Sequence, residues 1–447
     1  MPRGNAARKA GRTSGPGTAQ SPDVGETKLA VTLVDVGGTK ELILIVGVDR
    51  DGSLLRDRIY AKSDEIKTPF GTVKHFYDET ANAIREIQKT AGNNVKLLPI
   101  VCVGSPGRLV KGVIQPGSAA NLGNMPHEFD GVMPAKEIEK RLNAKVYVDN
   151  DAIAQMCAGL HTLFERPDLK NALSGRKVCY VGPGTGTGGG FCTVRKDITI
   201  DICTDGHIYD MMIPGYEGKF RFPFICDTGR YEAELPYERT KLEDLLSGRA
   251  VRQIACAIDR RLLNAGAQPL FLPALPRFKA MMGEEMFALI DHDNKESPIN
   301  ARFLRETFLH PKAMNAVIDR ARPIAQSIFE FEGLMLSKLM ECIYTGNINK
   351  FSRDAQWNKS DKEKVKGTRD YIIGGSVGTR GVGGRLIQET ARRFIADRFP
   401  DVVFRIYPLD PEETGNAGAY GAFDFADRKV LLGEISKKSN AIPRARR

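Results

Sequence analysis

Residues 178–194 read VCYVGPGTGTGGGFCTV. Apolar, β-branched and aromatic residues flank a dense run of glycines, which predicts two strands joined by a glycine-rich turn. Glycines cost stability unless a bare backbone serves a purpose. Successive backbone N–H groups without side chains suit contact with a phosphate. The strand FCTV follows the turn, so it is neither a Walker A loop nor a GxGxxG that opens a helix. A flexible hairpin loop is the alternative.

Two further glycine-bearing turns follow apolar strands. DVGGTK (residues 35–40) follows the run from Lys28, and GGSVG (residues 374–378) follows RDYII. In the first turn the glycines let the backbone approach a phosphate and Thr39 adds a hydroxyl donor. Asp35, at the strand end, suits Mg²⁺ held through its water shell. The third turn suits packing against a ligand such as adenosine. Each turn alone has a structural alternative, so the prediction rests on the three together.

Polar residues end the strand within YVDNDA (residues 147–152). Asn150 and Asp151 follow an apolar run directly, a position that often faces a cleft. A carboxylate there can accept a hydroxyl proton during phosphoryl transfer. The alternative is an Asx turn that caps the next helix, AIAQMCAGL, and one pair of residues can serve both purposes.

Strand and helix patterns alternate along the chain. Residues 70–91 have helical spacing between apolar strands, and helical patterns dominate from about 240 to 345. This alternation predicts α/β domains. The segment ITIDICTDGHIYDMMI (residues 198–213) predicts a β-hairpin around Asp205-Gly206.

The composition is that of an ordinary folded protein, because 42% of the 447 residues are hydrophobic and 27% are charged. Much of the formal net charge of +10 lies at the two ends. Residues 1–27 and 436–447 are basic and poor in large apolar residues, which predicts solvated, disordered tails. Weak contact with nucleic acid or a membrane surface is the alternative for the tails.

The eight cysteines are scattered and form no CxxC pair, so they suit a reducing compartment. The sequence shows neither a secretory signal nor an apolar run of about 18 residues. We therefore expect a cytoplasmic protein with no membrane partner and no nucleic-acid partner.

Five motifs, in order, resemble the ROK family of sugar kinases and sugar-responsive regulators, within the actin/hexokinase/Hsp70 superfamily. DVGGTK and GPGTGTGGG look like its two phosphate motifs and YIIGGSVG like its adenosine motif; DNDA looks like its catalytic Asn-Asp pair, and GNAGAYGA like the end of the fold. The resemblance covers roughly residues 30–430. It implies a two-lobed, actin-like ATPase fold (ribonuclease H-like α/β domains) with an interdomain cleft.

The resemblance also implies ATP and Mg²⁺ as cofactors, with Asp151 as the catalytic base. Asp35 is the residue expected to hold Mg²⁺ through water, as its position at the strand end indicates. The residues that it implies for ATP binding are Asp35, Gly37, Gly38, Thr39, Lys40, Gly184, Thr185, Gly186, Thr187, Gly188, Gly374 and Gly375.

A sugar pocket is implied in the same way. Carboxylates and Asn side chains suit sugar hydroxyls because they accept several directional hydrogen bonds. Phe220 occupies a position where family members have His, which removes one polar contact. The implied sugar ligands are Asn121 (in SPGRLVKGVIQPGSAANLGNM), Asn150, Asp151, Glu217 (in PGYEGKF) and Glu243 (in LEDLLSG).

Many family members hold a structural zinc with His and Cys ligands just before the second of these Glu residues. The segment LPYERTKLE (residues 235–243) contains neither residue type, so we expect no zinc. His207 is interpreted as a residue that flanks a turn.

We expect an N-terminal lobe over residues 28–151, completed by a C-terminal helix at about 416–435, and a C-terminal lobe over residues 152–415. Helical insertions are expected at about 260–310 and 348–368. They exceed those of compact family members.

The activity that the resemblance implies is that of a glucokinase-like, ATP-dependent hexose kinase, which acts on a small-molecule sugar and forms a homodimer. Phe220 and the basic tail keep a non-catalytic sugar or nucleotide sensor as an alternative. Residues 1–27 are too short and too polar for a helix-turn-helix. A different sugar, or a different phosphoryl donor such as polyphosphate, is a further alternative.

Overall fold

The computed structural model describes residues 28–37, 40–63, 66–69, 71–119, 122, 127–184, 186–203, 208–271, 311–350, 359–409 and 416–440. Several predicted features lie outside the described residues: the tail at 1–27, the end of the C-terminal tail at 441–447, most of the insertion at 260–310, and Gly38, Thr39, Asn121, Thr185, Asp205, Gly206 and His207.

In the first sheet the central strand, Lys28–Val36, is buried on both faces. The strands of this sheet are β1 (Lys28–Val36), β2 (Lys40–Val48), β3 (Leu54–Lys62), β4 (Ile66–Lys67), β5 (Val95–Ser105) and β8 (Lys145–Asn150). The order is β3-β2-β1-β5-β8, with β4 beside β2. Strand β2 runs antiparallel to β1 and β3, whereas β5 and β8 continue the sheet parallel to β1. A small hairpin, β6 (Leu109–Val110) and β7 (Val113–Ile114), follows β5.

The second sheet repeats this arrangement. Its strands are β9 (Lys177–Pro183), β10 (Thr187–Val194), β11 (Ile200–Ile202), β16 (Asp370–Ile373) and β17 (Arg405–Pro408). The order is β11-β10-β9-β16-β17, antiparallel on one side of β9 and parallel on the other. The chain therefore contains two α/β lobes of the same strand order.

Helices cover the sheets. They are α1 (Val73–Thr90), α2 (Pro134–Glu139), α4 (Pro167–Leu173), α5 (Gly248–Asn264), α6 (Pro311–Thr345), α7 (Lys359–Val365), α8 (Ser376–Thr379), α9 (Gly381–Arg398) and α11 (Arg428–Asn440). Helix α1 packs Phe76 and Ile84 against the first sheet. Helices α5, α6 and α9 share an apolar core with the second sheet. Buried faces on both sides explain why the central strands read as continuous apolar runs.

Two helices lie between the sheets. Helix α3 (Asp151–Phe164) directly follows β8, and α10 (Ala417–Ala422) packs against it and against β1. Side chains of α3 are buried around most of its circumference because both sheets contact it. The backbone of Gly421 touches that of Ala154, which leaves no room for a side chain at that crossing. Helix α3 thus places its first residue, Asp151, at the junction of the lobes.

The expected hairpin around Asp205-Gly206 is wrong in its pairing. Strand β11 pairs with β10, whereas β12 (Met211–Met212) pairs with β15 (Asn349–Lys350), far along the chain. The Asp-Gly signal predicts a reversal of direction but does not determine which strand becomes the partner. A hairpin forms instead between β13 (Arg221–Cys226) and β14 (Gly229–Glu234), with Phe222 and Phe224 buried against the core.

Candidate active site at the junction of the lobes

Two carboxylates meet at the end of the first sheet. Asp35 lies near the end of β1, and Asp151 begins α3 after β8. The intervening strand β5 carries Gly104 beside Asp35. A Cβ atom on Gly104 would lie 3.5 Å from the Cα of Asp151 and 3.7 Å from Oδ1 of Asp35. Because residue 104 of β5 is a glycine, no side chain from this position fills the space between the two acids.

Burial changes the acidity of both carboxyl groups. It raises the pKa of Asp35 to about 7, and the negative charge of Asp151 adds to that rise. Burial also raises the pKa of Asp151 to about 6, although hydrogen bonding to the Ala152 backbone opposes it. Both residues remain partly accessible to solvent. A carboxylate with such a pKa is poised to exchange a proton near neutral pH.

The Asn150 side chain faces protein backbone. Its Oδ1 accepts a hydrogen bond from the Ala152 N–H at 2.9 Å, which caps α3, and its Nδ2 donates to the Gly107 carbonyl at 3.0 Å. The residue is 2% exposed. The Asx cap that the sequence left open is therefore present, and Asn150 holds the helix start that carries Asp151.

The first glycine turn is tied to the same sheet. The Gly37 N–H donates to the Lys40 carbonyl at 2.8 Å, and the Gly37 carbonyl accepts from the Thr68 hydroxyl at 2.7 Å. Lys40 begins β2 and is exposed. Gly38 and Thr39 lie outside the described residues.

The second glycine turn, between β9 and β10, is fixed against two helices. The Gly184 N–H donates to the Gly186 carbonyl at 2.7 Å, and the Gly184 carbonyl accepts from the Gly248 N–H of α5, also at 2.7 Å. The Thr187 hydroxyl donates to the Leu246 carbonyl. A Cβ atom on Gly188 would lie 2.8 Å from the Cβ of Ala152, so the turn lies directly against the residue after Asp151.

The third turn packs on the second. The Gly374 N–H donates to the Val181 carbonyl at 2.9 Å. Gly375 has φ 68° and ψ 152°, a conformation essentially restricted to glycine. A Cβ atom there would also lie 2.5 Å from the carbonyl carbon of Pro183. The two turns of the second lobe therefore form one surface.

Tyr180 lies under these turns and was not predicted as a site residue. Its ring is 1% exposed, and its hydroxyl donates to Oε1 of Gln155 in α3 at 2.7 Å. A Cβ atom on Gly182 would lie 2.6 Å from the hydroxyl oxygen, and one on Gly374 would lie 2.7 Å from a ring carbon. The sequence held one signal: Tyr180 and Gly182 lie two residues apart and so share a face of β9.

The two predicted sugar-binding glutamates occupy different surroundings. Glu243 is 9% exposed and forms ion pairs with Lys241 (3.2 Å) and Arg249 (3.7 Å). A side chain on Gly186 would collide with its carboxylate, so Glu243 lies at the second glycine turn. The Glu217 carboxylate accepts from the Gly215 N–H of its own loop at 2.8 Å. The described contacts thus place Glu243, but not Glu217, beside the glycine turns.

A buried acid supports the segment around Glu243. Oε1 of Glu332, on α6, accepts from the Ser247 N–H at 3.1 Å, and the Ser247 hydroxyl donates to the Glu243 carbonyl at 2.7 Å. Oε2 of Glu332 is buried without a hydrogen-bond partner among the described residues. Burial raises the pKa of Glu332 well above its ordinary value, because the charged form of the carboxyl is poorly solvated there.

The described residues contain no group of three or more His, Cys, Asp or Glu side chains arranged to hold a metal ion. Asp35, with Asp151 nearby, nevertheless fits Mg²⁺, because this ion is commonly bound by one or two carboxylates together with waters and substrate phosphates. A cation would also offset the mutual repulsion of the two carboxylates.

Over the described ranges, no helix combines the length and apolar character needed to cross a bilayer.

No protein-family model and no curated protein matches the chain. Solved structures do. A ROK family glucokinase from Streptomyces griseus, in complex with glucose and AMPPNP, superposes with a TM-score of 0.52 at 16% identity, over 89% of this chain and 99% of that chain. A ROK family transcriptional regulator, a homologue of the E. coli MLC protein, superposes with a TM-score of 0.53 at 14% identity, over 92% of this chain and 81% of that chain.

This chain has the ROK fold. The expected two-lobed, actin-like α/β architecture is confirmed, and so is the resemblance to ROK proteins at the level of the fold. One of these neighbours is a glucokinase and the other a transcriptional regulator. The ROK fold alone therefore does not decide between catalysis and sensing, and that decision rests on the junction residues.

Proposed function

We propose that this chain is an ATP-dependent kinase that phosphorylates a hydroxyl group of a hexose, with Asp151 as the general base. The observation that carries the proposal is the position of Asp151: it begins α3, its pKa is raised to about 6, and Gly188 packs against the next residue. Phosphoryl transfer to a hydroxyl uses a base that accepts the hydroxyl proton and backbone N–H groups that bind the phosphate, and a proton acceptor beside a glycine-rich turn suits both roles.

ATP is proposed to bind across the glycine turns. The phosphates would face the backbone at residues 37–40 and 184–188, and adenosine would pack on Gly374 and Gly375. The AMPPNP in the similar S. griseus glucokinase supports a nucleotide in this fold. Asp35 would hold Mg²⁺ through water. When bound, this ion would neutralise charge on the transferring phosphoryl group.

The hexose is proposed to lie beside Asp151, with Asn121, Asn150, Glu217 and Glu243 as the candidate ligands. The contacts of the described residues favour different roles for two of them. Asn150 is engaged with Ala152 and Gly107, so we assign it chiefly to positioning Asp151. Glu243 lies at the second glycine turn, where it can accept hydrogen bonds from a hydroxyl close to the transferred phosphate.

In the proposed step, the sugar hydroxyl transfers its proton to the Asp151 carboxylate while its oxygen bonds to the γ-phosphorus of ATP. The bond between that phosphorus and the β,γ-bridging oxygen breaks, and ADP departs. The products are the sugar phosphate, ADP and a protonated Asp151. Helix α3 holds the carboxylate in place, since the Asn150 cap fixes its first turn.

The test is sugar-dependent ADP release, measured with a coupled assay across a panel of hexoses. We expect release with at least one hexose and a loss of at least about 100-fold in Asp151→Ala, the usual scale for removing a positioned base. Asp424→Ala is the matched control, because Asp424 binds His161 near the other end of the same helix, at 2.8 Å. Equal rates in wild type and Asp151→Ala would contradict the proposal.

A non-catalytic sugar sensor is the second candidate, and two observations favour it. The first observation is that a transcriptional regulator has a similar fold. The other is Phe220, which stacks on Phe331 with centroids 4.9 Å apart and also contacts Tyr216, so an apolar cluster occupies this part of the second lobe. Calorimetry that shows tight hexose binding, with no phosphorylated product at any ATP concentration, would establish the sensor.

A further inference from the structure

The buried hydroxyl of Tyr180 joins three parts of the proposed active site. It bonds to Gln155 in α3, and its ring fills the space beneath Gly182 and Gly374. Gln155 lies four residues after Asp151, so the two side chains share one face of the helix. Tyr180 therefore contacts the helix that carries the base and both glycine turns of the other lobe.

Two of the glycines have a reason other than phosphate binding. A side chain at Gly182 or Gly374 would collide with the Tyr180 ring. The lack of a side chain at these two positions leaves room for the ring beneath the turns. Part of the glycine richness that predicts a phosphate site thus exists to accommodate this tyrosine.

A neighbouring buried tyrosine differs from Tyr180 in the hydrogen-bond partner of its hydroxyl. Tyr371 lies in the adjacent strand β16 and is fully buried, but its hydroxyl bonds to the backbone carbonyls of Met340 and Thr368, at 3.3 and 3.2 Å. Its contacts stay within the second lobe. Tyr180 instead uses a shorter bond, 2.7 Å, to a half-buried side chain of the helix between the lobes.

We propose that Tyr180 is a positioning residue, which fixes the distance between Asp151 and the glycine turns through its hydrogen bond to Gln155 and its ring contacts with Gly182 and Gly374. This inference rests on the proposed kinase function for its kinetic consequence, but the mechanical link between α3 and the turns does not. Transfer rates fall steeply when reacting groups are misplaced by as little as about 1 Å.

The experiment compares wild type, Tyr180→Phe, Gln155→Met, the double variant, and Tyr371→Phe as the matched control. Tyr180→Phe keeps the ring and removes only the hydroxyl, and Gln155→Met removes the acceptor with little change of shape. Hydrogen exchange is followed in residues 178–190 and at the start of α3, without any substrate. We expect faster exchange in both segments for Tyr180→Phe and for Gln155→Met, and none of this for Tyr371→Phe.

Kinetics provide the second readout. We expect kcat to fall about tenfold in each single variant, with KM for ATP and hexose within about threefold, because spacing rather than binding is lost. The double variant should be no slower than either single variant, since one interaction is removed in both.

The proposal is overturned if exchange in Tyr180→Phe changes only within β9 and its turn while α3 stays as in wild type, or if the two single effects add. A loss shared equally by Tyr371→Phe would also overturn it, because it would reflect general destabilisation of the sheet. If wild type phosphorylates no hexose, the proposed function fails, while hydrogen exchange still decides whether Tyr180 couples α3 to the turns.

Discussion

The two lobes share one strand order but bring opposite chemistry to their junction. The first lobe supplies charge: Asp35 at the end of β1 and Asp151 after β8, both with raised pKa values. The second lobe supplies shape: the turns at residues 184–188 and 374–375, packed on the buried ring of Tyr180. The same topology therefore carries the two neighbouring acids, Asp35 and Asp151, in the first lobe and two of the three glycine turns in the second.

This difference indicates how the proposed work is divided. A charged base near an anionic phosphate would repel it unless the surface facing the phosphate consists of backbone N–H groups and a cation. Placing Asp35 and Asp151 on the first lobe and two of the three glycine turns on the second keeps most of these requirements apart, although the Gly37 turn belongs to the first lobe and Glu243 to the second. Substitutions of the acids in the first lobe should therefore reduce kcat, whereas substitutions of the glycines in the second lobe should weaken nucleotide binding.

The largest effect is expected for charge in the first lobe. Asp151→Asn keeps the shape of the side chain and removes the proton acceptor, so kcat should fall at least about 100-fold. Affinity for a non-hydrolysable ATP analogue, measured by calorimetry, should stay within about threefold. A matching loss of analogue affinity would show that the two lobes do not divide the work in this way.

The next effect is expected for shape in the second lobe. Gly375→Ala forces a side chain into a glycine-only conformation against Pro183, so the third turn must move. Affinity for the same analogue should weaken about tenfold, which is about 1.4 kcal/mol. Gly433→Ala is the control, because a Cβ atom at that position of α11 meets no atom within 4 Å. Unchanged affinity in Gly375→Ala would remove this turn from the nucleotide site.

A smaller effect is expected from pH. Asp151 accepts a proton only when ionised, and its pKa is about 6, so activity should be lost as the pH falls through that value. Protonation of Asp35, with a pKa of about 7, acts in the same direction by weakening its hold on a cation. We expect kcat/KM at pH 5 to be about tenfold or more below its value at pH 8. A flat profile down to pH 5 would place the base at an ordinary pKa.

The smallest effect is expected for a buried acid of the second lobe. Burial raises the pKa of Glu332 and so disfavours its charged form, and Glu332→Gln keeps the shape of the side chain and an oxygen that accepts from the Ser247 N–H. The melting temperature at pH 7 should change by less than about 2 °C. A fall of more than about 5 °C would mean that Glu332 is ionised and that the second lobe depends on a buried charge as well.

Local sequence patterns were sufficient for the elements that build the junction. Apolar runs followed by glycines predicted β1, β9 and β16 with their turns, and the alternation of strand and helix predicted the α/β class. Asp151 was placed at a strand end by the same reasoning. These features depend on residues that are neighbours in the sequence, so a single chain is enough to predict them.

Features set by distant contacts could not be predicted in this way. The pairing of β12 with β15 joins residues 211–212 to residues 349–350, and no local signal specifies it. Tyr180 looks like any aromatic strand residue until Gln155 and Gly374 are brought beside it. Glu332 lies on a long helix whose packing alone determines that its carboxyl is buried. Tertiary contacts decide such roles, and propensity does not.

The most direct test is a crystal structure with Mg²⁺, a non-hydrolysable ATP analogue and the hexose that gives the fastest ADP release. The account predicts a hexose hydroxyl within about 3 Å of the Asp151 carboxylate, in line with a γ-phosphate held by the backbone of residues 184–188. A nucleotide bound away from these turns, or an Asp151 carboxylate that touches no ligand, would contradict it.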